Sequence, residues 1–562
     1  MSSTADSESS VVSIRSDQDG RASGQRPWLE IALIFVVFFV AGGAPVPHLN
    51  ETHYLAKAKQ YWQPDWCAGD LFLESGKAHL TFYWTVGLLT KWFTLPTVAW
   101  IGRLTAWLAL AIAWQRLSRT VTGLPFRGVL SAMLLVTLID WTNFAGEWVV
   151  GGVEGKCFAY ACVFWGLAAL AEERWRTVWP CLGLAAAFHV LVGGWSVIAA
   201  AFVWLWQPRD NRPTLASMLP ALLLGGVFAL PGVVPALHLT QTVSPETVSQ
   251  ANQIYVFDRL PHHLSPLTLS GRELGRKALR FGLLLLGFAW LRFFCTRQTL
   301  CIQQPENPPL APPCEGGGLD SSSFRPLDLL MRFAVATLVI SVAGLAWELA
   351  TWNHPAVAAR ILKYYVFRLA DIAVPLATSL GVGWLTHRLL LRQSKWGVAL
   401  LLLAVSLPTL HLLNISRTRF QTPCPPADRR LKDVAAFREA CDWVRDHTPT
   451  DALFLVPRHA QSFKWYASRS DLVTWKDVPQ SADALLTWRK RFFDVHKHYN
   501  EAGEYVSYGS LASQGTARIR ELAEKYQFDY VLTNEYPPLL LPVVYTNDTY
   551  TIYSVSGKGA GD

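Results

Sequence analysis

Charge is scarce in this 562-residue chain: 16% of residues are Asp, Glu, Lys or Arg, while 51% are hydrophobic. Ordinary soluble domains carry roughly 25% charged residues, so the composition is that of a membrane protein. Ordered cysteine patterns are missing as well. The nine cysteines (Cys67, Cys157, Cys162, Cys181, Cys295, Cys301, Cys314, Cys424 and Cys441) form no C-x-x-C pair, which excludes a zinc site or a disulfide framework read from spacing. The C-terminal part, 425–562, has no Gly-rich phosphate loop and no G-x-S-x-G elbow. No basic stripe with interleaved aromatics occurs either, so no nucleic-acid partner is expected. The net charge of +8 is accounted for by Lys and Arg flanking apolar spans. No internal repeat is found, which weighs against an inverted-repeat transporter.

What is present is a series of apolar stretches. A span needs about 20 mostly apolar residues, fewer if broken or re-entrant. The candidates are 28–46, 98–116, 128–146, 156–171, 178–192, 194–206, 215–235, 277–295, 329–347, 370–389 and 397–415. The stretch 79–95 is interrupted by Lys91 and closed by Pro96, and fits an interfacial helix, with a twelfth span as the alternative. Residues 1–27 are Ser, Asp, Gly and Arg rich and read as a disordered cytoplasmic tail; with no small-residue cleavage site behind it, the first span reads as a retained anchor. The mean hydropathy of +0.21 is modest for a pure bundle, which indicates a soluble part too.

Lys and Arg in short loops set the orientation. Arg15, Arg21 and Arg26, then Arg116, Arg119 and Arg127, Arg174 and Arg176, Arg209 and Arg212, Arg292 and Arg297, and Arg388, Arg392 and Lys395 all fall on one side if eleven spans cross. The expected topology therefore has the N-terminus inside and the C-terminus outside. The bundle occupies 28–416, with an outer loop 47–97 and a Pro- and Gly-rich cytoplasmic linker 296–326. Residues 425–562 alternate helical patterns (431–447, 480–499, 514–526) with short apolar runs (452–457, 528–533, 541–545, 550–555). They read as a small extracytoplasmic α/β domain without chemistry of its own.

The outer loops collect the polar residues, Glu147 and Glu348 among them. Glu51, in P-H-L-N-E-T-H-Y just past the first span, could act as a general base with His53 beside it, or cap the helix that starts at Asn50. Glu154 and Lys156, in G-G-V-E-G-K, could meet a phosphate or simply neutralise each other. Arg259, His262 and His263 form a basic cluster suited to a phosphate, or to lipid headgroups. Arg360, Lys363, Tyr364, Arg368 and Asp371 recur at helical spacing, so one face could present several donors beside a carboxylate, with Arg368 the nearest partner of Asp371. The same pattern describes an interfacial helix whose cations snorkel. His189, within a span, reads as a packing residue. The 25 Trp read as an aromatic belt.

A first span followed at once by an acidic residue in a large outer loop, many further spans and a C-terminal α/β domain resembles the type-C (GT-C) glycosyltransferase superfamily. The resemblance implies an α-helical multi-pass bundle of about eleven spans that transfers a sugar from a polyprenyl-phosphate donor to an acceptor. Members place one or two carboxylates in the first outer loop, often Asp-Glu; here Glu51 matches the second acid and Asn50 stands at the first. On this reading Glu51 and His53 are the expected catalytic residues, and Tyr54, Glu154, Lys156, Arg259, His262, His263, Arg360, Lys363, Tyr364, Arg368 and Asp371 the expected substrate contacts. The one cofactor it admits is a divalent cation near Glu51. G-G-V-E-G-K, R-L-P-H-H-L (259–264) and F-R-L-A-D-I-A-V-P-L (367–376) are similar to stretches of bacterial multi-pass proteins, which implies the bacterial inner membrane. A transporter or flippase, or a scaffold that displays the C-terminal domain, are the alternatives; the scaffold expects no groove between the outer loops.

Overall fold

A computed structural model describes residues 27–122, 126–241, 243–300, 324–500 and 503–555. The tail 1–26 and most of the 296–326 linker lie outside the described residues. Each apolar stretch forms a helix: Pro27–Gly42, Leu95–Thr122, Arg127–Thr142, Gly155–Ala171, Trp175–Phe188, Val190–Trp206, Leu215–Gln241, Gly271–Leu300, Arg325–Ala350, Ala370–Leu391 and Lys395–Gln421. Five of these are long and apolar enough to cross a membrane unaided: Leu95–Thr122, Leu215–Leu239, Gly271–Thr296, Arg325–Ala350 and Lys395–Gln421. The chain is thus a multi-pass helical membrane protein. The stretch 79–95 is not one helix. It breaks into Leu80–Trp84 and a 3-10 turn Val86–Lys91, each far too short to span.

The bundle packs around the Leu95–Thr122 helix, whose Trp107 and Trp114 are fully buried beside Phe38 and Phe164. Its outward surface is apolar as well, with Leu223, Val227, Leu286 and Leu402 more than half exposed, as lipid contact requires. Polar groups inside are paired at the helix ends. At one end Glu30 accepts from Gly128 N (3.0 Å) and Gln115 Nε2 (3.2 Å). At the other end lie Glu51, Glu147, Glu154, Glu348 and Asp371, all buried, and the C-terminal domain sits on that end.

The domain is a mixed sheet between helical layers. Strands β1 (Leu453–Leu455), β2 (Ser470–Asp471), β5 (Tyr530–Asn534), β6 (Val543–Thr546) and β7 (Tyr550–Ser554) lie in the order β2-β1-β5-β7-β6. β1 runs parallel to β2 and β5; β7 runs antiparallel to β5 and β6. Alternate side chains serve opposite faces. Phe454, Tyr530, Leu532 and Ile552 pack against helix Val434–His447, while Leu455, Val531 and Tyr553 pack against Ala482–His496 and Gly515–Tyr526. A separate hairpin joins β3 (Lys497–Tyr499) and β4 (Tyr505–Ser507). The apolar runs 452–457, 528–533 and 550–555 hold the largely buried strands β1, β5 and β7, while 541–545 leads into β6, an edge strand with Val543 and Thr546 exposed.

A buried ion cluster fastens the domain to the first loop. Lys464 sits 3.0 Å from Asp70 and 2.6 Å from Asp477, and also bonds Asp471; all four are at most 3% exposed. Burial opposes the Lys464 charge, but the three carboxylates hold it well above the usual ammonium range. Three carboxylates exceed one ammonium, and burial pushes Asp471 up to about 8, with Asp70 and Asp477 adding to it.

Candidate functional site

Glu51 opens the helix Glu51–Trp62 and is fully buried. Its carboxylate meets Arg103 from the Leu95–Thr122 helix in a two-pronged pair and also accepts from His48 N (2.7 Å) and Val153 N (2.8 Å). Four donors on two oxygens leave no site for an incoming hydroxyl, so the expectation of a free base at Glu51 fails on geometry. Its side chain serves the Arg103 pair rather than the cap of its own helix. A dication does not fit there either, because a guanidinium already matches the carboxylate's charge and shape. Among the described residues no group of three or more His, Cys, Asp or Glu could hold a metal.

His53 is also committed. Its Nε2 lies 2.7 Å from Lys476 O and 3.1 Å from Asp477 Oδ1; both are acceptors, so this nitrogen carries the proton. Burial lowers its pKa. It is a tie between the first loop and the C-terminal domain. Tyr54 reaches His79 Nε2 at 3.3 Å, and His79 lies against the His189 ring, 5.9 Å between centroids.

A carboxylate held by cations rather than by short hydrogen bonds is Glu147, which sequence reasoning placed in an outer loop but did not single out. It is 1% exposed, and neither oxygen has a well-formed hydrogen bond. Arg368 Nε stands 3.3 Å from one oxygen and Lys156 Nζ 3.6 Å from the other. Lys156 also lies 3.1 Å from Glu154 and over the Trp148 ring, while Glu154 accepts from Asn50 Nδ2. Glu147, Arg368, Tyr160, His189, Trp195 and Tyr365 line one small pocket of about 20 Å³.

The turn carrying Glu147 is built for its place. Asn143 Nδ2 donates to Glu147 O (2.6 Å) and its Oδ1 accepts from Gly146 N (2.6 Å). Asp371 accepts from Phe144 N, Ala145 N and Glu147 N at 3.1, 2.7 and 3.3 Å. Gly146 has φ +81°, and a Cβ there would fall 2.1 Å from His263 Cε1. Only glycine meets both demands. His263 Nδ1 in turn donates to Ala145 O at 2.7 Å.

This corrects two expectations. Asp371 is not the partner of Arg368 but the anchor of the 144–147 backbone. Arg360, Lys363, Tyr364 and Arg368 do not share a helical face, because helix Pro355–Leu362 ends early and Tyr365 takes a left-handed φ of +57°. Arg360 and Tyr364 are exposed, and Lys363 lies over the Tyr364 ring, away from Glu147. His262 is exposed, and its ring lies tilted against that of His263. His189 lines the pocket instead of only packing, and its Nδ1 accepts from Val192 N at 3.3 Å.

Above the pocket two more cations reach in at the seam with the C-terminal domain. Arg259 is buried, donates to Trp475 O (3.0 Å) and stacks on the Trp475 ring. Burial brings the Lys476 ammonium down to about 8, with Arg259, Arg368 and Lys156 pressing the same way. Arg259, Lys476, Arg368 and Lys156 against Glu147 and Glu154 leave this seam net positive.

Residues 435–495, from the first domain helix through the Lys464 cluster, match the family model described as "Domain of unknown function (DUF6798)". A comparison with curated proteins gives no match. Among solved structures the chain is similar to an oligosaccharyltransferase of Archaeoglobus fulgidus determined with zinc and sulfate, at 12% identity and TM-score 0.48, covering 89% of this chain and 67% of that one. It is similar to the archaeal oligosaccharyltransferase AglB from Archaeoglobus fulgidus, determined with an inhibitory peptide and a dolichol-phosphate, at 12% identity and TM-score 0.43, covering 90% and 69%. It is also similar to ArnT from Cupriavidus metallidurans bound to undecaprenyl phosphate, at 13% identity and TM-score 0.35, covering 95% and 98%.

Proposed function

We propose that the chain is an integral-membrane glycosyltransferase that takes a sugar from a polyprenyl-phosphate donor at the bundle end bearing the C-terminal domain, with Glu147 as its general base. The observation that carries this is Glu147 itself: buried, free of well-formed hydrogen bonds, held between Arg368 and Lys156 in a pocket. An acceptor hydroxyl beside Glu147 would give it a proton as its oxygen bonds to the sugar's anomeric carbon. The bond from that carbon to the phosphate oxygen breaks, and the phosphate leaves with the electron pair. Arg368 and Lys156 are placed to meet that charge, with Lys476 and Arg259 above them. A phosphate would also draw these cations away from Glu147 and leave its carboxylate a stronger base.

In this reading Glu51 and His53 are positioning residues. Glu51 fixes the 151–156 turn through Val153 N, and His53 ties that end of the bundle to the domain. Tyr54, Glu154 and His263 support the same turns. With the outer face at this end, the N-terminus lies inside, as expected for a bacterial inner-membrane protein. The scaffold alternative expects no groove between the outer loops, and the Glu147–Arg368 pocket weighs against it.

The test is binding of undecaprenyl phosphate to purified protein in detergent. Wild type and Glu147→Gln should bind saturably, and Arg368→Ala should bind about tenfold more weakly. Equal binding by wild type and Arg368→Ala would remove the donor site from this pocket.

A further inference from the structure

The C-terminal domain holds a second cavity that the transfer site does not use. It is a cleft of about 260 Å³, close to the small end of ligand-sized clefts. Its floor is the carboxyl end of two parallel strands: Pro457–His459 follow β1, and Thr533 and Asn534 end β5. β1 has a parallel neighbour on each side. The chain leaves it through helix Phe463–Ala467 on one face and reaches β5 through helices on the other. At such a switch point the loops diverge and leave a crevice, which is where open α/β sheets receive ligands.

The lining is cationic and aromatic. Arg430, Lys432 and Arg458 face the cavity, none has an ion-pair partner and no carboxylate lines it among the described residues. Arg458 is aimed by its own bonds, Nε to His459 Nε2 (3.2 Å) and Nη1 to Tyr508 O (3.3 Å). Tyr508, stacked on His498, and the buried Tyr550 supply ring surface. His459 accepts from Arg458, and burial beside Arg458 and Arg430 brings it down to about 4, so it is a neutral polar group at physiological pH. Asn534 has no side-chain bond among the described residues. Three unpaired cations, neutral amide and imidazole groups and two tyrosine rings suit a ligand with one anionic group and several hydroxyls.

We infer that this cavity binds an anionic saccharide, a sugar bearing a phosphate or carboxylate, with Arg430, Lys432 and Arg458 holding the anion. Arg430 lies near enough to Arg259 for their charges to repel, so the cavity opens beside the cationic seam. The bound sugar is then the acceptor or its attached glycan, an assignment that rests on the proposed transfer; the binding itself does not.

The experiment is calorimetric titration of the full chain in detergent with glucose 1-phosphate, glucuronate, glucose and inorganic phosphate. Glucose 1-phosphate or glucuronate should bind about tenfold or more tightly than glucose or inorganic phosphate, and Arg430→Ala or Lys432→Ala should lose about tenfold. Both substituted residues are exposed, so the fold survives their loss. Equal affinity in wild type and Arg430→Ala, or inorganic phosphate binding as tightly as either sugar anion, would overturn the inference. Sugar-anion binding by a protein that fails to bind undecaprenyl phosphate would sustain the cavity while removing the donor reading.

Discussion

Glu51 and Arg103 meet fork to fork, Oε1 to Nε and Oε2 to Nη2 at 2.6 Å each, with both side chains fully buried. Burying two charges is costly, and only the paired geometry offsets it. Arg103→Ala should therefore destabilise the protein by about 3–5 kcal/mol, because it strands a buried carboxylate. Thermal unfolding in detergent would show it, and Glu51→Gln should cost a comparable amount. A Glu51→Gln protein of wild-type stability would return Glu51 to the list of chemical groups.

Glu147→Gln should do the opposite. The amide keeps the size of the side chain and removes its charge, so Arg368 and Lys156 are left freer for a phosphate. Undecaprenyl phosphate should bind as well as to wild type or better, while sugar transfer falls by about 100-fold or more. A stable variant with normal turnover would dismiss Glu147 as base.

Donor binding should fall as pH rises. Lys476 attracts the phosphate only as an ammonium, and its pKa is brought down to about 8. Affinity should be full near pH 6 and decline through pH 8, and Lys476→Arg should abolish the decline because a guanidinium stays charged. A pH-independent affinity in wild type would exclude Lys476 from the contact.

Stability has its own pH dependence through the Lys464 cluster. Asp471 has a folded-state pKa raised to about 8, above its ordinary value near 4. The folded protein thus holds a proton that the unfolded chain releases, and stability falls as pH rises from about 4 to about 8. Asp471→Asn should flatten that slope. Lys464→Met should instead lower stability by about 3–5 kcal/mol at neutral pH, by leaving its carboxylates unpaired.

Gly146→Ala should shift His263 or the turn, since its Cβ would overlap the imidazole and its φ is +81°. Undecaprenyl phosphate binding is the readout, with the loss expected to match that of Asp371→Ala, which frees the same turn.

The bundle was legible because long apolar runs have few other fates, and strands β1, β5 and β7 because they are short, apolar and buried. The site was less so. Glu154–Lys156 could be read as a neighbouring pair, but the partner of Glu51 lies 52 residues away in a helix that reads as a span. An arginine in an apolar helix demands a buried anion, and Arg103 was the available clue. Glu147 gives no signal of its own, because what distinguishes it is the absence of hydrogen bonds in three dimensions. The left-handed turn at Tyr365 defeats helical spacing just where Arg360 and Arg368 were expected to align.

The Lys464 cluster joins Asp70, near the start of the chain, to Asp471 and Asp477, near its end. A ribosome delivers the first of these long before the others. Until the last hundred or so residues arrive, Asp70 lacks Lys464 and His53 lacks Lys476 O and Asp477, so the first loop has no such tie to the domain. The cluster therefore works as a seal of completeness: a chain cut short before Lys464 leaves its outer loops open and charged, the state that cellular proteases clear first.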